Sequence, residues 1–251
     1  MIHQKQPTAL FVADSHFHLD PGQAEQRRIR HFLDFLALAE GVDHLFLVGD
    51  LFDFWFDYPH FRLRGYDDIL HGLDRVRRAG VEIHFIGGNH DIWAAGYFHE
   101  RYGSRSDGAQ ERIQLGNLNL AVCHGDGLLS YDWAYSAFRA IVRTRPGIVL
   151  AKSLHPEILF HISSWLSGQS RAANRDEAAK IEAKAERWLA HQTTAPWDLM
   201  VIGHLHHPYI ATHGGRRLAC LAGWFETQGY GLLQDGEFSL RDFATDPAPN
   251  L

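Results

Sequence analysis

The segment His44-Leu-Phe-Leu-Val-Gly-Asp50 decides the fold class. Its apolar run is typical of a buried strand, and the Gly-Asp pair places a carboxylate where the strand ends. Two similar units flank it along the chain: Ala9 to Ala13 leads to Asp14, and Val81 to Ile86 leads to Gly87-Gly88-Asn89. The sequence therefore predicts several buried strands, each followed by polar side chains.

Helical patterns separate these strands. Apolar residues recur at helical spacing at Ile29, Phe32, Leu33 and Leu36 before Gly41, and at Ile69, Leu70, Leu73 and Val76 before Gly80. This β-α-β-α-β order predicts an α/β fold, with helices packed on a mostly parallel central sheet. Further strands are predicted as a hairpin across Gly116-Asn117, as a strand over 198–202, and as three or four antiparallel strands within 208–243.

A helical insert interrupts this frame. Residues 128–192 carry helical patterns, so the chain divides into a core of 1–127 and 193–251 and a cap of 128–192. From Leu128 to Arg175 there are six basic and two acidic residues, a local charge of +4 in a chain of net charge -6. A basic cap on an acidic chain indicates an anionic ligand or surface.

Composition excludes several classes of protein. With 251 residues, 45% hydrophobic and 22% charged, the chain is long enough for a substantial core and is not predicted to be disordered. Thirty acidic against 24 basic residues argue against nucleic-acid binding, and two Cys favour a reducing compartment. The sequence shows no signal-peptide pattern and no bilayer-length apolar stretch, so we expect a cytoplasmic protein that is soluble or peripheral to a membrane.

Five polar motifs follow predicted strands and carry metal-ligand side chains. They are Asp14-Ser-His16, Gly49-Asp50, Gly88-Asn89-His90-Asp91, His124-Gly-Asp126 and Gly203-His204-Leu-His206. Each alone is compatible with a turn, a helix cap or a buried histidine. Because ligands bind outside the carboxyl ends of strands in such sheets, the five together predict one metal site.

In order and spacing, these motifs resemble those of the calcineurin-like metallophosphoesterases. The resemblance implies a four-layer α+β fold, a β-sandwich flanked by helices, with a di-metal centre at the strand ends. Carried over residue by residue, it implies one ion held by Asp14, His16, Asp50 and His206. It implies a second ion held by Asp50, Asn89, His124 and His204.

The chemistry of the donors agrees with that implied centre. Two ions about 3.5–4 Å apart need a shared anionic ligand, and the Asp50 carboxylate can bridge them where an imidazole cannot. Mixed carboxylate, amide and imidazole donors favour Mn, with Fe, Co or Zn also suited, over Mg or Ca. His90 is predicted to protonate the leaving oxygen or to stabilise phosphoryl charge, with Asp91 orienting it.

A narrower resemblance comes from the segments between the motifs. Asp50-Leu-Phe-Asp-Phe-Trp55, Ser130-Tyr-Asp-Trp133 and Ser170-Arg-Ala-Ala-Asn174 are similar to the UDP-2,3-diacylglucosamine pyrophosphohydrolases of lipid A biosynthesis. That family implies cleavage to diacylglucosamine 1-phosphate and UMP under a helical cap. The implied substrate contacts are Asn89, His90, Asp132, Ser170, Asn174 and His204. Glu177 stands where the family often has Lys, so this part of the family's phosphate contact is not carried over to this chain.

The cap's own residues leave two readings open. Its many apolar side chains could bind acyl chains, or they could pack the insert onto the core. The implied partners are a lipid-linked UDP-sugar and the cytoplasmic face of the inner membrane, with neither nucleic acid nor a protein partner. The alternatives are a phosphoesterase of the same fold acting on another nucleotide diphosphate or phosphodiester, and a scaffold protein that binds no metal.

Overall fold

The structure is a computed structural model that describes residues 6–19, 22–56, 65–105, 110–129, 178–249 and 251. The strands in these ranges are β1 (Ala9–Val12), β2 (His44–Val48), β3 (Glu82–Ile86), β4 (Gln110–Leu115), β5 (Leu118–Cys123), β6 (Leu199–Ile202), β7 (Tyr209–His213), β8 (Arg216–Cys220), β9 (Gly229–Gln234) and β10 (Glu237–Asp242). The α-helices are α1 (Gln23–Ala39), α2 (Asp67–Arg78), α3 (Ala95–Tyr102), α4 (Ala178–Ala190) and α5 (Trp224–Thr227). One 3₁₀ turn, Ile92–Ala94, precedes α3.

The strands form two mixed five-stranded sheets, with orders β10-β9-β1-β2-β3 and β4-β5-β6-β8-β7. In the first sheet β1, β2 and β3 are parallel, as the β-α-β-α-β pattern predicts. In the second, β5, β6 and β8 are parallel, and the predicted hairpin is β4–β5. The prediction of one mostly parallel central sheet is wrong, because the strands divide between two sheets and the first sheet also contains the antiparallel strands β9 and β10.

The sheets stack face to face, and alternate residues of each strand enter different cores. In β2, Leu45 and Leu47 pack with helices α1 and α2, whereas Phe46 and Val48 pack against the second sheet. Strands buried on both faces account for the continuous apolar run of this segment. The arrangement confirms the predicted four-layer β-sandwich flanked by helices.

The helices follow their predicted stripes. α1 buries Ile29, Phe32 and Leu36 at helical spacing and ends just before Gly41. α2 carries Asp67 in its first turn and arginines in its last, an order that suits the helix dipole.

Only the ends of the predicted cap fall within the described residues. Helix α4 lies at the C-terminal end of the predicted cap. It packs Ala185 and Leu189 against Leu218 and Cys220 on the outer face of the second sheet. Residues 130–177 lie outside the described ranges, so the division into core and cap stays a prediction. Among the helices that are described, none is long and apolar enough to cross a membrane.

Candidate metal centre

The five polar motifs meet at one edge of the sandwich. Parallel strands β1, β2 and β3 end at Asp14, Asp50 and the 88–91 segment, and parallel strands β5 and β6 end at His124 and His204. Three groups of donor atoms there each lie within 4.8 Å of one another: Asp14, His16 and His206; Asp50, His124 and His204; and His16, Asp50 and His90.

The backbone at this edge adopts an uncommon conformation. Asp14, His16, Asp50, His204 and His206 all have φ between 47° and 68°, the left-handed region that non-glycine residues rarely enter. Elsewhere in the described ranges only Gln228 and Asp235 share it among non-glycine residues. Such strain persists where surrounding structure enforces it and clusters at functional sites. Five of the predicted ligands therefore carry backbone strain in addition to suitable donors.

Two glycines allow the strand ends to approach each other. A Cβ at Gly49, whose φ is +83°, would lie 2.3 Å from Nδ1 of His124. A Cβ at Gly88 would lie 2.0 Å from Oδ1 of Asp50. The glycines of the Gly-Asp and Gly-Asn-His-Asp motifs are thus required by packing against the site itself.

Gly88→Ala is expected to displace the Asp50 carboxylate and weaken metal binding at least about tenfold, because an added methyl group overlaps Oδ1. Metal content after dialysis against a weak chelator measures this loss. Gly96→Ala is the matched control, because a Cβ there meets nothing within 4 Å. Full metal content in Gly88→Ala would contradict the prediction.

Asp50 lies at the centre of the cluster. Its Oδ2 is 3.3 Å from Nε2 of His124, 3.8 Å from Nε2 of His16 and 3.9 Å from Nε2 of His90. Its Oδ1 accepts a hydrogen bond of 2.9 Å from the backbone N–H of His90. Burial opposes ionisation, but the neighbouring imidazoles hold the Asp50 pKa well below its usual range. This carboxylate is ionised and belongs to two of the three donor groups.

One side of the cluster is built from Asp14, His16 and His206. Oδ1 of Asp14 lies 3.3 Å from Nε2 of His206, and its Oδ2 accepts the backbone N–H of His204 at 2.8 Å. Nδ1 of His206 lies 3.2 Å from the Glu226 carboxylate, which leaves Nε2 to face the cluster. Burial lowers the pKa of His16 to about 4, so its ring is neutral and a nitrogen lone pair is available.

The other side is built around His124. Its ring donates Nδ1–H to the carbonyl of Val48 at 3.0 Å, which directs Nε2 toward Oδ1 of Asn89 at 3.2 Å and toward Asp50. The ring of His204 stands edge-on to that of His124, with centroids 5.0 Å apart. Burial lowers the pKa of His204 to about 4, so this imidazole is also neutral.

His90 is held by Asp53, a residue that the sequence analysis did not select. Nδ1 of His90 lies 3.0 Å from the Asp53 carbonyl and 3.4 Å from its carboxylate. Burial lowers the pKa of His90, but Asp50 and Asp53 outweigh it and raise the pKa to about 9. The same Asp53 carboxylate lies 3.3 Å from Nδ1 of His18. Asp53 therefore orients the His90 ring and favours its charged form.

Asp91 has a different position from the one predicted. Its carboxylate accepts backbone N–H groups of Gly88, Asp50, Leu51 and Phe52 at 2.9, 3.2, 2.7 and 3.2 Å. The expectation that Asp91 orients His90 is corrected accordingly, because its oxygens bind the two strand-end loops. Asp91 thereby fixes the loop that presents Asp50 against the loop that presents Asn89.

The donor set fits two divalent cations. Asp14 and Asp50 are at most 2% exposed, and buried carboxylates are costly unless a positive charge accompanies them. Burial lowers the pKa of His206, but the hydrogen bonds and negative charges of Asp14 and Glu226 outweigh burial and raise the pKa to about 10. Metal–nitrogen bonds of about 2.1 Å place two donors of one ion at most about 4.2 Å apart. The donor atoms in the group of Asp14 and in the group of Asp50, His124 and His204 lie within 4.8 Å of one another, close to that limit.

Asp53 and Glu226 are the contributors that sequence reasoning missed. Asp53 lies three residues beyond Asp50, in the same strand-end segment, so its spacing was a usable signal. Glu226 belongs to the short helix α5, which begins well after the last of the five motifs along the chain, although its side chain contacts His206. The predicted substrate contacts Asp132, Ser170 and Asn174, and the departure at Glu177, lie outside the described residues.

A helix-flanked β-sandwich with a buried His/Asp cluster at its strand ends defines a metallophosphoesterase. The sequence model of the calcineurin-like phosphoesterases matches residues 7–208, and the chain belongs to that family.

Its relatives share most of its length. A UDP-2,3-diacylglucosamine hydrolase of Xanthomonas oryzae pv. oryzae is 30% identical, over 94% of this chain and 99% of the relative. One from Porphyromonas gingivalis is 29% identical, over 88% of this chain and 92% of the relative. Among solved structures, a dimetal phosphatase from Danio rerio matches with a TM-score of 0.47 and 14% identity, over 95% of this chain and 96% of that one.

Proposed function

We propose that this protein is a di-metal hydrolase that cleaves the pyrophosphate of UDP-2,3-diacylglucosamine. The observation that carries the hydrolase assignment is the position of Asp50, whose Oδ2 lies within 3.9 Å of His16, His90 and His124. In the proposed centre, Asp14, His16, Asp50 and His206 hold one ion. Asp50, Asn89, His124 and His204 hold the other, and Mn is the first candidate for both.

The bound ions would polarise the phosphoryl oxygens and lower the pKa of water. Hydrolysis joins a water oxygen to one phosphorus and breaks the bond from that phosphorus to the bridging oxygen. The products are diacylglucosamine 1-phosphate and UMP. His90 is the proposed proton donor, because its Nδ1–H is committed to the Asp53 carbonyl and its Nε2 faces Asp50. Nearby cations would lower its pKa from about 9 toward neutrality, where proton donation is efficient.

The substrate is proposed from the relatives named UDP-2,3-diacylglucosamine hydrolase, which align over 94% and 88% of this chain. Asn89, His90 and His204 would contact the diphosphate at the strand ends. Asp132, Ser170 and Asn174 would contact it from the cap. An acylated substrate of this kind resides in a membrane, so we propose that the protein works at the cytoplasmic face of the inner membrane.

A comparison of kcat/KM among three compounds tests the proposed substrate directly. With Mn²⁺ present, kcat/KM for UDP-2,3-diacylglucosamine is expected to exceed that for UDP-N-acetylglucosamine and bis(p-nitrophenyl) phosphate by at least about 100-fold. Burial of acyl chain contributes about 0.8 kcal/mol per CH₂, so even partial burial gives this ratio. Release of UMP and of the lipid monophosphate is measured by chromatography.

Equal or better turnover of the unacylated compounds would overturn the lipid substrate. It would favour another nucleotide diphosphate or phosphodiester and leave the di-metal chemistry in place. A chain that retains little metal and turns over none of the three compounds would instead favour the scaffold alternative.

A further inference from the structure

A second group of metal-ligand side chains lies at the opposite ends of the same strands. His44 opens β2, Glu82 opens β3, and His84 lies two residues further along β3. Asp50 is six residues beyond His44, so at about 3.3 Å per residue the two clusters are about 20 Å apart. This second cluster therefore shares no donor with the candidate metal centre.

The pairing of β2 with β3 brings these donors together. His44 is the cross-strand partner of Glu82, and His84 is the partner of Phe46, so all of them face the space between the sheets. Nδ1 of His44 lies 3.1 Å from Nε2 of His84 and 3.7 Å from Oε2 of Glu82. One donor atom from each of the three residues lies within 4.8 Å of the others. The separations suit ligands of a single ion.

The second sheet supplies the group that orients His84. Glu111 of β4 accepts Nδ1–H of His84 at 2.7 Å, so Nε2 keeps its lone pair and points at His44. A carboxylate on the far nitrogen is how metal-binding histidines are commonly fixed. The Phe46 ring stacks on the His84 ring with centroids 4.2 Å apart, which holds its plane.

Glu111 also carries a buried polar atom without a hydrogen bond. The side chain is only 10% exposed, and its Oε2 has no hydrogen-bond partner among the described residues. A buried carboxylate in that state is costly unless positive charge lies nearby. An ion beside His84 would supply that charge.

We propose that His44, Glu82 and His84 form a separate binding site for a borderline divalent cation, Zn²⁺ by first choice. Two imidazole nitrogens and a carboxylate oxygen are the donors that Zn²⁺ accepts, and the exposure of Glu82 leaves a position open to water. The ligands belong to the first sheet and Glu111 to the second, so the ion would tie the two sheets together at their β3–β4 edge. The site is independent of the proposed function.

The test compares zinc stoichiometry in the full-length chain and two variants. Metal-free protein is loaded with Zn²⁺, passed over a desalting column and analysed for zinc. His44→Gln is expected to bind one equivalent fewer than the unmodified chain. Glu82→Gln is expected to bind this ion at least about tenfold more weakly. The difference of one equivalent does not depend on how many ions the Asp50 cluster holds.

His71→Gln is the matched control, because His71 is exposed on α2 and belongs to neither cluster. It should retain the full stoichiometry. The zinc-dependent rise in Tm is a second readout, and it should shrink in Glu82→Gln, whose substituted side chain is 45% exposed and should not impair folding. Equal zinc content and equal Tm rise in the unmodified chain, His44→Gln and Glu82→Gln would overturn the proposal. They would show that His44 and His84 form only a hydrogen-bonded pair.

Discussion

Asp50→Asn is expected to lower kcat by at least about 10³-fold, a loss of about 4 kcal/mol in transition-state stabilisation. The Asn oxygen can still accept the backbone N–H of His90, which Asp50 binds at 2.9 Å. What the variant loses is the negative charge that lies within 3.9 Å of His16, His90 and His124. A neutral amide cannot serve as the shared anionic ligand of two cations. Turnover of bis(p-nitrophenyl) phosphate and metal content, measured together, check the prediction.

The same substitution should lower the stability of the metal-free fold. The neighbouring imidazoles hold the Asp50 pKa well below its usual range, so the ionised carboxylate stabilises the folded state and its loss is destabilising. The rise in Tm on adding Mn²⁺ should be lost.

Asp235→Asn is the matched control for this variant, because Asp235 has a similar φ of 53° but lies exposed in the β9–β10 turn. Its activity and its Mn²⁺-dependent Tm should equal those of the unmodified chain. Unchanged metal content in Asp50→Asn would contradict a bridging role for this carboxylate.

The positions of the candidate ligands could be predicted because they depend on local sequence. Each motif follows an apolar run, and a strand ends where polar residues and glycine begin. The rule that parallel strands end at one edge then places Asp14, Asp50 and Asn89 together without further information. The left-handed backbone at Asp14 and Asp50 was not predicted, because Asp occurs in every conformation of a turn.

Contacts between distant parts of the chain could not be read in this way. The sequence suggested Asp91 as the residue that orients His90, but Asp91 lies in the turn after β3 and its carboxylate accepts backbone N–H groups of Asp50 and Gly88. The partner is Asp53, which reaches His90 from the loop after β2. Glu226 approaches His206 from α5 through tertiary packing alone.

Sheet assignment failed for the same reason. The sequence predicts antiparallel strands within 208–243, separated by Gly214-Gly215 and Asp235-Gly236, but these turns do not say which strands pair across a sheet. β9 pairs with β1, more than two hundred residues earlier, whereas β7 and β8 join the second sheet. The contact between Glu111 and His84 also depends on how the two sheets stack. The cluster of His44, Glu82 and His84 depends on the register of β2 against β3, which was not predicted from the sequence.

His90→Gln is expected to lower kcat by about 10² to 10⁴-fold with little change in KM, the range usual for losing a general acid. His90 is 7% exposed, and its Nδ1–H is donated to the Asp53 carbonyl, so Nε2 is the nitrogen that faces the cluster. Metal content should stay unchanged, because Asp14, Asn89, His124 and His206 remain. His99→Gln is the matched control, since His99 also donates Nδ1–H to a backbone carbonyl, that of Ser104 at 2.9 Å, but lies outside the cluster.

Two substrates with different leaving groups distinguish proton donation by His90 from a merely structural role. A nitrophenolate departs readily without a proton, whereas the phosphate oxygen of a pyrophosphate gains more from one. His90→Gln should therefore lose much less activity on bis(p-nitrophenyl) phosphate than on UDP-2,3-diacylglucosamine, whereas a distorted site would lose equally on both. Because His90 also falls within 4.8 Å of donors on His16 and Asp50, the variant could lose a metal ion instead. A lower metal content with equal losses on the two substrates would make His90 a ligand and exclude it as the acid.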